Sequence, residues 1–322
     1  MTRWLLILAA LTVGWGQAVA QPAGERYPNR PVRFVVPFPP GGSYDVIARL
    51  LGRHLSERWG QQILVDNRSG AAGNIGTEFV AKSKPDGYTI LIFGDGLLIN
   101  QSLYSHPPYD TERDFDPITL AAISPQMLVA NPRLGAKNIA DLVRLAKARP
   151  GKINYGTAGA GTPGHLAGEL LQQLAGIQLV HVPYRGGAQT MQDVVAGQIE
   201  LVFTGMPATL GQIRADTVRP LGVSSRKRSP TLPDVPAIAE TIPDFHVNTW
   251  YGLLAPKGTA PGLIARIGDD TRAVLQIAAL KAQLIEQGFE PVGSTAESLA
   301  ATLRDDLPVW RDLIVRSGAH AD

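Results

Sequence analysis

Two glycine-rich turns each stand between an apolar stretch typical of a strand and an amphipathic stretch typical of a helix. The first is PFPPGGSYD at residues 37–45, and the second is YGTAGAGTPG at residues 155–164. A helix N-terminus has unpaired N–H groups and a positive dipole end, which attract a carboxylate or a phosphate. Each turn therefore predicts an anion site, with a sharply turned, capped helix start as the alternative.

The first turn combines residue types that suit a strand exit and a helix start. Pro40 stiffens the chain after the strand. Gly41 and Gly42 permit positive φ and a close approach of a ligand to the backbone. Ser43 is a preferred N-cap residue, and Asp45 falls in the first helical turn.

The second turn has the same design. Exposed N–H groups are expected from Thr157, Gly159, Gly161 and Thr162, two of which also carry hydroxyls. Pro163 suits the first helical position. Because ligands of open α/β sheets bind at the carboxyl ends of strands, both turns lie where a ligand is expected.

The second turn also matches G-x-G-x-x-G, the dinucleotide-binding fingerprint, at residues 159–164. That fingerprint requires an acidic residue at the end of the next strand. Here the next strand, QLVHVPYR at residues 178–185, contains neither Asp nor Glu. The chain has no G-x-x-x-x-G-K-[ST] loop either, so the sequence predicts no nucleotide cofactor.

Other chemistry-bearing residues form no recognisable catalytic or metal-binding pattern. The six histidines lack metal-ligand spacing, and no G-x-S-x-G elbow is present. His165 is the only histidine beside a proposed site, in the first turn after the second glycine turn. A structural role in helix packing explains it at least as well as a role in binding. An acid–base pair would have to come from Asp45, Asp95 and His165, which show no partnering in sequence. We therefore expect no catalytic residues and no metal site.

Composition and the N-terminus indicate an exported protein. The chain of 322 residues has a formal net charge of +2 with scattered charges, and it contains no cysteine. No nucleic-acid-binding face is predicted, and disulfides are excluded. Residues 1–20 have a basic start, an apolar run and the sequence Ala18-Val19-Ala20, typical of a signal peptide cleaved near Ala20–Gln21. A membrane anchor is the alternative, and the periplasm is the expected location.

Alternation of apolar runs with amphipathic stretches predicts an α/β protein with parallel sheets covered on both faces. Two connectors are expected at Asp114–Gln126 and at Ser229–Phe245. They predict a second lobe inserted into the first. The expected bounds are 27–122 and 226–322 for lobe 1 and 123–225 for lobe 2.

Several blocks taken together make the chain similar to the solute receptors of tripartite tricarboxylate transporters, the Bug family. The similarity runs from about residue 27 to 318, and it is carried by YPNRPVRFVVPFPPGGSYDVIAR, ILVDNRSGAAGNIGTEFVAKSKPDGYTIL, NQSLYSHPPYDTERDFDPITLAA, KARPGKINYGTAGAGTPGHLAGELL, VHVPYRGGAQTMQDVVAGQIELVF and VSSRKRSPTLPDVPAIAE. The resemblance implies a type II periplasmic binding protein fold, with two Rossmann-like lobes and a ligand cleft between them. It also implies a monomer that captures a small carboxylate and delivers it to membrane permease subunits, without cofactor or catalysis.

The resemblance assigns roles to both turns. It implies that a carboxylate of the ligand is held by the second turn and covered by the first, and that the loop after the third strand lines the far side. The implied positions are Thr157, Ala158, Gly159, Gly161 and Thr162, then Pro40, Gly41, Gly42, Ser43 and Asp45, then Gly94 and Asp95. A ligand-sensing partner of a membrane signalling protein is the alternative function, and an exported enzyme on this scaffold is a weaker one.

One departure from the family bears on the ligand. Amino-acid-binding relatives carry an aspartate after the strand IELVF, where this chain has Thr204-Gly205. An amine would lose its partner there, which argues against an amino acid. Asp95 would repel a second anionic group, or it could pair with a ligand hydroxyl, an amine or Arg185.

Overall fold

The computed structural model describes residues 27–317, so the signal-peptide prediction for residues 1–20 lies outside the described residues. Ten strands and eleven α-helices form two lobes. The strands are β1 (Val32–Val36), β2 (Ile63–Asn67), β3 (Thr89–Phe93), β4 (Phe115–Ala130), β5 (Asn154–Thr157), β6 (Val180–Pro183), β7 (Leu201–Gly205), β8 (Arg219–Val223), β9 (Asn248–Pro256) and β10 (Glu290–Pro291). The helices are α1 (Ser43–Trp59), α2 (Asn74–Ala81), α3 (Gly96–Leu103), α4 (Thr111–Asp114), α5 (Ile139–Ala148), α6 (Pro163–Ala175), α7 (Gly187–Ala196), α8 (Met206–Arg214), α9 (Pro261–Leu275), α10 (Ala278–Glu286) and α11 (Ala296–Ser317).

The sheet of the first lobe has the order β2-β1-β3-β9-β4, with β10 paired to β4. β1, β2 and β3 are parallel. The unbroken apolar runs of β1 and β3 are buried, as expected, whereas β2 is buried only at Ile63. β9 pairs antiparallel with both β3 and β4, so the expectation of purely parallel sheets is wrong at the centre of this lobe.

The sheet of the second lobe is built in the same way. β7, β5 and β6 are parallel neighbours, each preceded or followed by a helix. The end of β4 pairs antiparallel with β7 on one side and with β8 on the other. In both lobes the parallel strands therefore direct their carboxyl ends toward the junction, and the antiparallel strands make the connection.

A single strand crosses from one lobe to the other. β4 pairs with β9 as far as Pro125 and with β7 from Gln126 onward. The return crossing lies at Ser224 and Val247, where the Val247 N–H donates to the Ser224 carbonyl at 3.0 Å. The Ser224 hydroxyl accepts from the Gln126 N–H at 2.8 Å, which ties the two crossings together. The predicted connector at Asp114–Gln126 is thus the first part of a 16-residue strand.

The exact boundary between the lobes stays a proposal. Residues of the proline-rich segment, Val235 and Ala237, pack in the core of the second lobe with Met127 and Val129. This packing favours a return to the first lobe near Val247, later than the expected residue 225.

Two helices near the junction were not expected from the sequence. α3 follows the Gly94-Asp95 loop, and α8 starts directly after β7. α8 is short and contains Gly211, which lowers helix propensity, while Pro207 lies in its first turn, where proline is tolerated. Among residues 27–317, no helix combines the length and apolar character needed to span a membrane.

Candidate functional site

A pocket of about 530 Å³, including its opening, lies between the two lobes. Six of the expected site residues line it: Gly42, Ser43, Ala158, Thr162, Thr204 and Gly205. The rest of the lining consists of Phe38, Tyr44, Phe93, Gly96, Gln126, Pro163, Gly164, Gly187, Phe203, Thr249 and Tyr251. Both lobes thus contribute to the pocket.

Five helices begin at this pocket. Their first residues or N-caps belong to the lining, at Ser43 for α1, Gly96 for α3, Pro163 for α6, Gly187 for α7 and Gly205 for α8. In the described chain none of these five helices has an N-cap side chain that accepts a hydrogen bond from the first helical N–H groups. The first N–H groups of a helix have no partner within the helix. The N-terminal ends of five helices, with the positive ends of their dipoles, therefore surround the pocket.

No charged side chain lines this pocket in the part of the chain that the structure describes. The attraction for an anion therefore has to come from backbone N–H groups and helix dipoles, since no arginine or lysine lines the pocket. Thr204 belongs to the lining, is 5% exposed and carries a neutral hydroxyl. The expectation of a carboxylate rather than an amino acid stays a prediction.

The first turn is braced from behind by Asp45. Its carboxylate accepts from the Gly41 N–H at 3.0 Å, from Arg49 at 2.8–2.9 Å and from Asn67 at 3.0 Å. Asp45 is 4% exposed and lies outside the pocket lining. Its contacts give it a supporting position, and Gly41, at φ +84°, takes a conformation that favours glycine. The N-cap of α1 is Gly42 and Ser43 is the first helical residue, so the Ser43 N-cap prediction is wrong by one position.

The first turn also touches the second lobe. A Cβ atom on Gly186 would lie 2.8 Å from Cδ of Pro39, and a Cβ atom on Gly41 would lie 3.6 Å from that of Ala188. Pro40 is exposed at the rim. The two lobes are therefore in contact across the mouth of the pocket, and larger residues at Gly186 would push them apart.

The second turn is held by its own hydroxyls. The Thr157 and Thr162 hydroxyls donate to the Gly159 carbonyl at 3.1 and 2.7 Å. Gly159 and Gly161 have φ of +140° and +80°, which other residues rarely adopt. Thr157, Gly159 and Gly161 fix the shape of the turn and lie outside the lining, whereas Ala158 and Thr162 belong to it.

His165 also lies outside the pocket lining. It is 5% exposed, and its Nδ1 accepts a hydrogen bond from the Gly161 N–H at 3.2 Å. The structure thus places this residue behind the second turn, where it contacts the backbone of the turn.

Asp95 and Gly94 lie behind the pocket. The Asp95 carboxyl group accepts from the Trp250 N–H at 3.1 Å and is 1% exposed. Burial, together with the negative charge of Asp306, raises the pKa of Asp95 well above its ordinary value. Gly94 packs so closely on the Trp250 carbonyl that a Cβ atom would collide with it. These two residues join α3 to β9, and only Gly96 of this loop reaches the lining.

Aromatic residues form much of the lining and were not expected from the sequence. The Tyr44 ring stacks on Phe38 at 5.3 Å and lies 4.9 Å from Tyr251. Burial, with Tyr251 and Asp95 nearby, raises the pKa of Tyr44 well above its ordinary value, so its hydroxyl stays a neutral donor. In the described chain this hydroxyl has no hydrogen-bond partner.

Gln126 and Thr249 are the polar residues of the lining that sequence reasoning missed. They come from the crossing strand β4 and from β9, and the Gln126 amide donates to the Thr249 hydroxyl at 2.6 Å. Nothing in their local sequence marks them. Gly186-Gly187 could have been found, because it is a third glycine turn between a strand and a helix.

The fold defines a class, the two-lobed periplasmic binding proteins of type II. Rpa4515 from R. palustris, solved with adipate, has a TM-score of 0.89 and 34% identity, covering 91% of this chain and 99% of that one. MatC from Rhodopseudomonas palustris, solved with bound malate, has a TM-score of 0.85 and 27% identity, covering 89% of this chain and 100% of that one.

The family is shown by the sequence comparisons. Residues 47–319 match the model of the tripartite tricarboxylate transporter family receptor, TctC. BugT of Bordetella pertussis is 35% identical over 99% of this chain and 98% of its own length. A protein from the tcbD-tcbE intergenic region of Pseudomonas sp. strain P51 is 40% identical over 92% of this chain and 89% of its own. The chain belongs to this receptor family, whose members are periplasmic binding proteins, and the resemblance to the Bug family is confirmed.

Proposed function

We propose that this protein captures a small organic carboxylate between its lobes and delivers it to the membrane subunits of a tripartite tricarboxylate-type transporter. The observation that carries this function is the convergence of five helix N-termini on a pocket without charged side chains. A carboxylate supplies the acceptor oxygens and the negative charge that such a pocket lacks. The related structures with adipate and malate support the same class of solute.

Capture without chemical turnover follows from the same geometry. The contacts of the solute come from Gly42 and Ser43 in one lobe and from Ala158, Thr162 and Thr204 in the other. A solute that touches both lobes favours their closed arrangement, and the closed form is what a membrane partner in the periplasm would recognise. The positions of Asp45 and Asp95, outside the pocket lining and bound to backbone and side-chain donors, support capture without acid–base chemistry.

A thermal-shift screen of the chain from Gln21 tests this function. The panel contains adipate, malate, citrate, benzoate and L-glutamate, with adipamide as the matched analogue that lacks both carboxylates. A solute that binds only the folded state at about 100 times its Kd stabilises it by about 2.7 kcal/mol, a shift of several degrees.

The amide is the decisive control. Backbone donors that lose water need charged or strongly accepting oxygens, so adipamide should give no shift where adipate does. Equal shifts from the acid and the amide, or a shift with L-glutamate alone, would contradict carboxylate capture as described. Repeating the screen after unfolding and refolding removes any solute retained during purification.

A further inference from the structure

Two histidine rings stack against each other beneath the second turn. His165 lies in the first turn of α6 and His181 in β6, with ring centroids 4.1 Å apart and planes inclined by 16°. His165 is 5% exposed, and His181 is partly buried. Neither ring belongs to the pocket lining among the described residues, so neither is placed to touch a solute.

Each ring makes one hydrogen bond to the turn. The Gly161 N–H donates to Nδ1 of His165 at 3.2 Å. Nε2 of His181 lies 2.7 Å from Oγ1 of Thr157. The two ends of the segment 157–161 are therefore fixed by two different ring nitrogens that belong to one stacked pair.

The pair is polar and neutral, with His165 buried and His181 partly buried. Nδ1 of His165 accepts a hydrogen bond, so it carries no proton, and Nε2 then holds the proton toward Glu169 at 3.8 Å. Glu169 also accepts from the Tyr155 hydroxyl and from Gln172. Burial, with His165 adjacent, lowers the pKa of His181 to about 3, so its ring is uncharged at neutral pH.

A turn of this composition needs such external contacts. Gly159 and Gly161 sit at positive φ, and a glycine-rich segment loses more conformational entropy on ordering than any other. Fixing the turn before the solute arrives removes that loss from the binding step.

We propose that His165 and His181 are positioning residues of the binding site, a role that rests on the proposed function because the turn is its second-lobe half. His165 acts through the Gly161 N–H, and His181 acts through the Thr157 hydroxyl. Together they orient the backbone of Ala158 and the start of α6 toward the pocket.

Crossed amide substitutions separate this role from packing. The Asn side chain places its oxygen near the position of histidine Nδ1, and the Gln side chain places its amide near that of Nε2. His165→Asn and His181→Gln should therefore keep the bonds to the turn, whereas His165→Gln and His181→Asn should lose them. A packing role alone would favour the larger Gln at both positions.

Two measurements are made on the four variants and the wild-type protein. Amide hydrogen exchange of segment 157–165 is followed without added solute, and the Kd for adipate is measured by calorimetry. His165→Gln and His181→Asn should exchange faster and bind adipate about tenfold more weakly, since each loses one buried hydrogen bond. The other two variants should stay within about threefold of wild type.

The exchange rates decide the inference independently of the solute. Equal exchange in all four variants, or an order that follows side-chain size, would overturn the positioning role. If wild type fails to bind adipate, the choice of solute is wrong, while the order of exchange rates still tests the histidine pair.

Discussion

At the scale of single residues, the charged side chain of Asp45 supports a pocket that has no charged side chain in its described lining. Its carboxylate accepts hydrogen bonds from the Gly41 N–H, Asn67 and Arg49. These bonds fix the first turn, although Asp45 lies outside the pocket lining. Burial raises the pKa of Asp45, but the hydrogen bonds from Arg49, Gly41 and Asn67 outweigh burial and leave the pKa below its ordinary value. This carboxylate therefore contributes stability in its ionised form.

The sign of the pH dependence follows from the lowered pKa. Between the folded and unfolded pKa values the unfolded chain binds more protons, so the stabilisation is present above about pH 3.8 and is lost as pH falls through the folded value. We expect Asp45→Asn to lower the free energy of unfolding by about 1–3 kcal/mol at pH 7 and by less at pH 3. Urea unfolding at both pH values measures this difference. Asp244→Asn, at an exposed position, is the control, and an equal loss at both pH values would count against this role.

Thr204 contributes a neutral hydroxyl to the lining of the pocket. Thr204→Asp should weaken binding of the carboxylate found in the screen at least about tenfold, because two anions would then share a pocket that excludes bulk water. Thr204→Ser keeps the hydroxyl and should bind like wild type. Calorimetry on both variants measures the effect, and unchanged affinity in the aspartate variant would mean that Thr204 does not face the solute.

At the residue scale the sequence located the turns around the pocket better than it identified which of their residues line it. Gly42, Ser43, Ala158, Thr162, Thr204 and Gly205 were expected in the cleft and line the pocket. Asp45, Asp95 and His165 were expected beside them and lie behind the lining. The difference arises because a glycine turn marks itself by local φ requirements, whereas the direction of a side chain depends on packing partners distant in sequence.

At the scale of elements, the recurring unit is a strand, a glycine and a helix whose N-terminus ends at the pocket. A substitution of Gly187, at the start of α7, tests the importance of this unit. A Cβ atom at this position would lie 2.6 Å from Oγ1 of Thr204. We expect Gly187→Ala to weaken carboxylate binding at least about tenfold, because the helix N-terminus must shift away from the pocket.

A matched glycine in α8 provides the control. A Cβ atom on Gly211 would meet nothing within 4 Å. Gly211→Ala should leave binding unchanged and raise stability by about 0.5–1 kcal/mol, since alanine loses less entropy in a helix. Binding lost equally in both variants, or kept in both, would contradict the importance of the α7 N-terminus.

The elements themselves were largely predictable, but their pairing was not. Apolar runs identified β1, β3, β7 and β9, and helical spacing identified α1 and α6. The antiparallel insertion of β9 beside β3, and the extension of β4 through both lobes, depend on contacts that local periodicity does not contain. α8 was missed because Pro207 and Gly211 within nine residues are typical of a turn, although a proline in the first turn is compatible with a helix.

At the scale of the whole molecule, the source of the positive potential predicts a response to salt. Helix dipoles and N–H groups inside a closed pocket are screened less than charges on the surface. The Kd for the carboxylate should therefore change by less than about threefold between 50 and 500 mM NaCl. Titrations at three salt concentrations measure this dependence. A tenfold weakening would indicate that surface cations, rather than the five helix ends, supply the attraction.

The position of β9 has a consequence for how the chain folds. β9 fills the space between β3 and β4 in the first lobe, yet roughly 150 residues of sequence separate it from β3. The N-terminal segments of an exported chain emerge first, so β1, β2 and β3 are present before the strand that joins them to β4. The strands of the second lobe all emerge before β9. The lobe that begins the chain is thus the one that can finish folding last, and its unpaired strand edges are where a nascent chain is most exposed to misassembly.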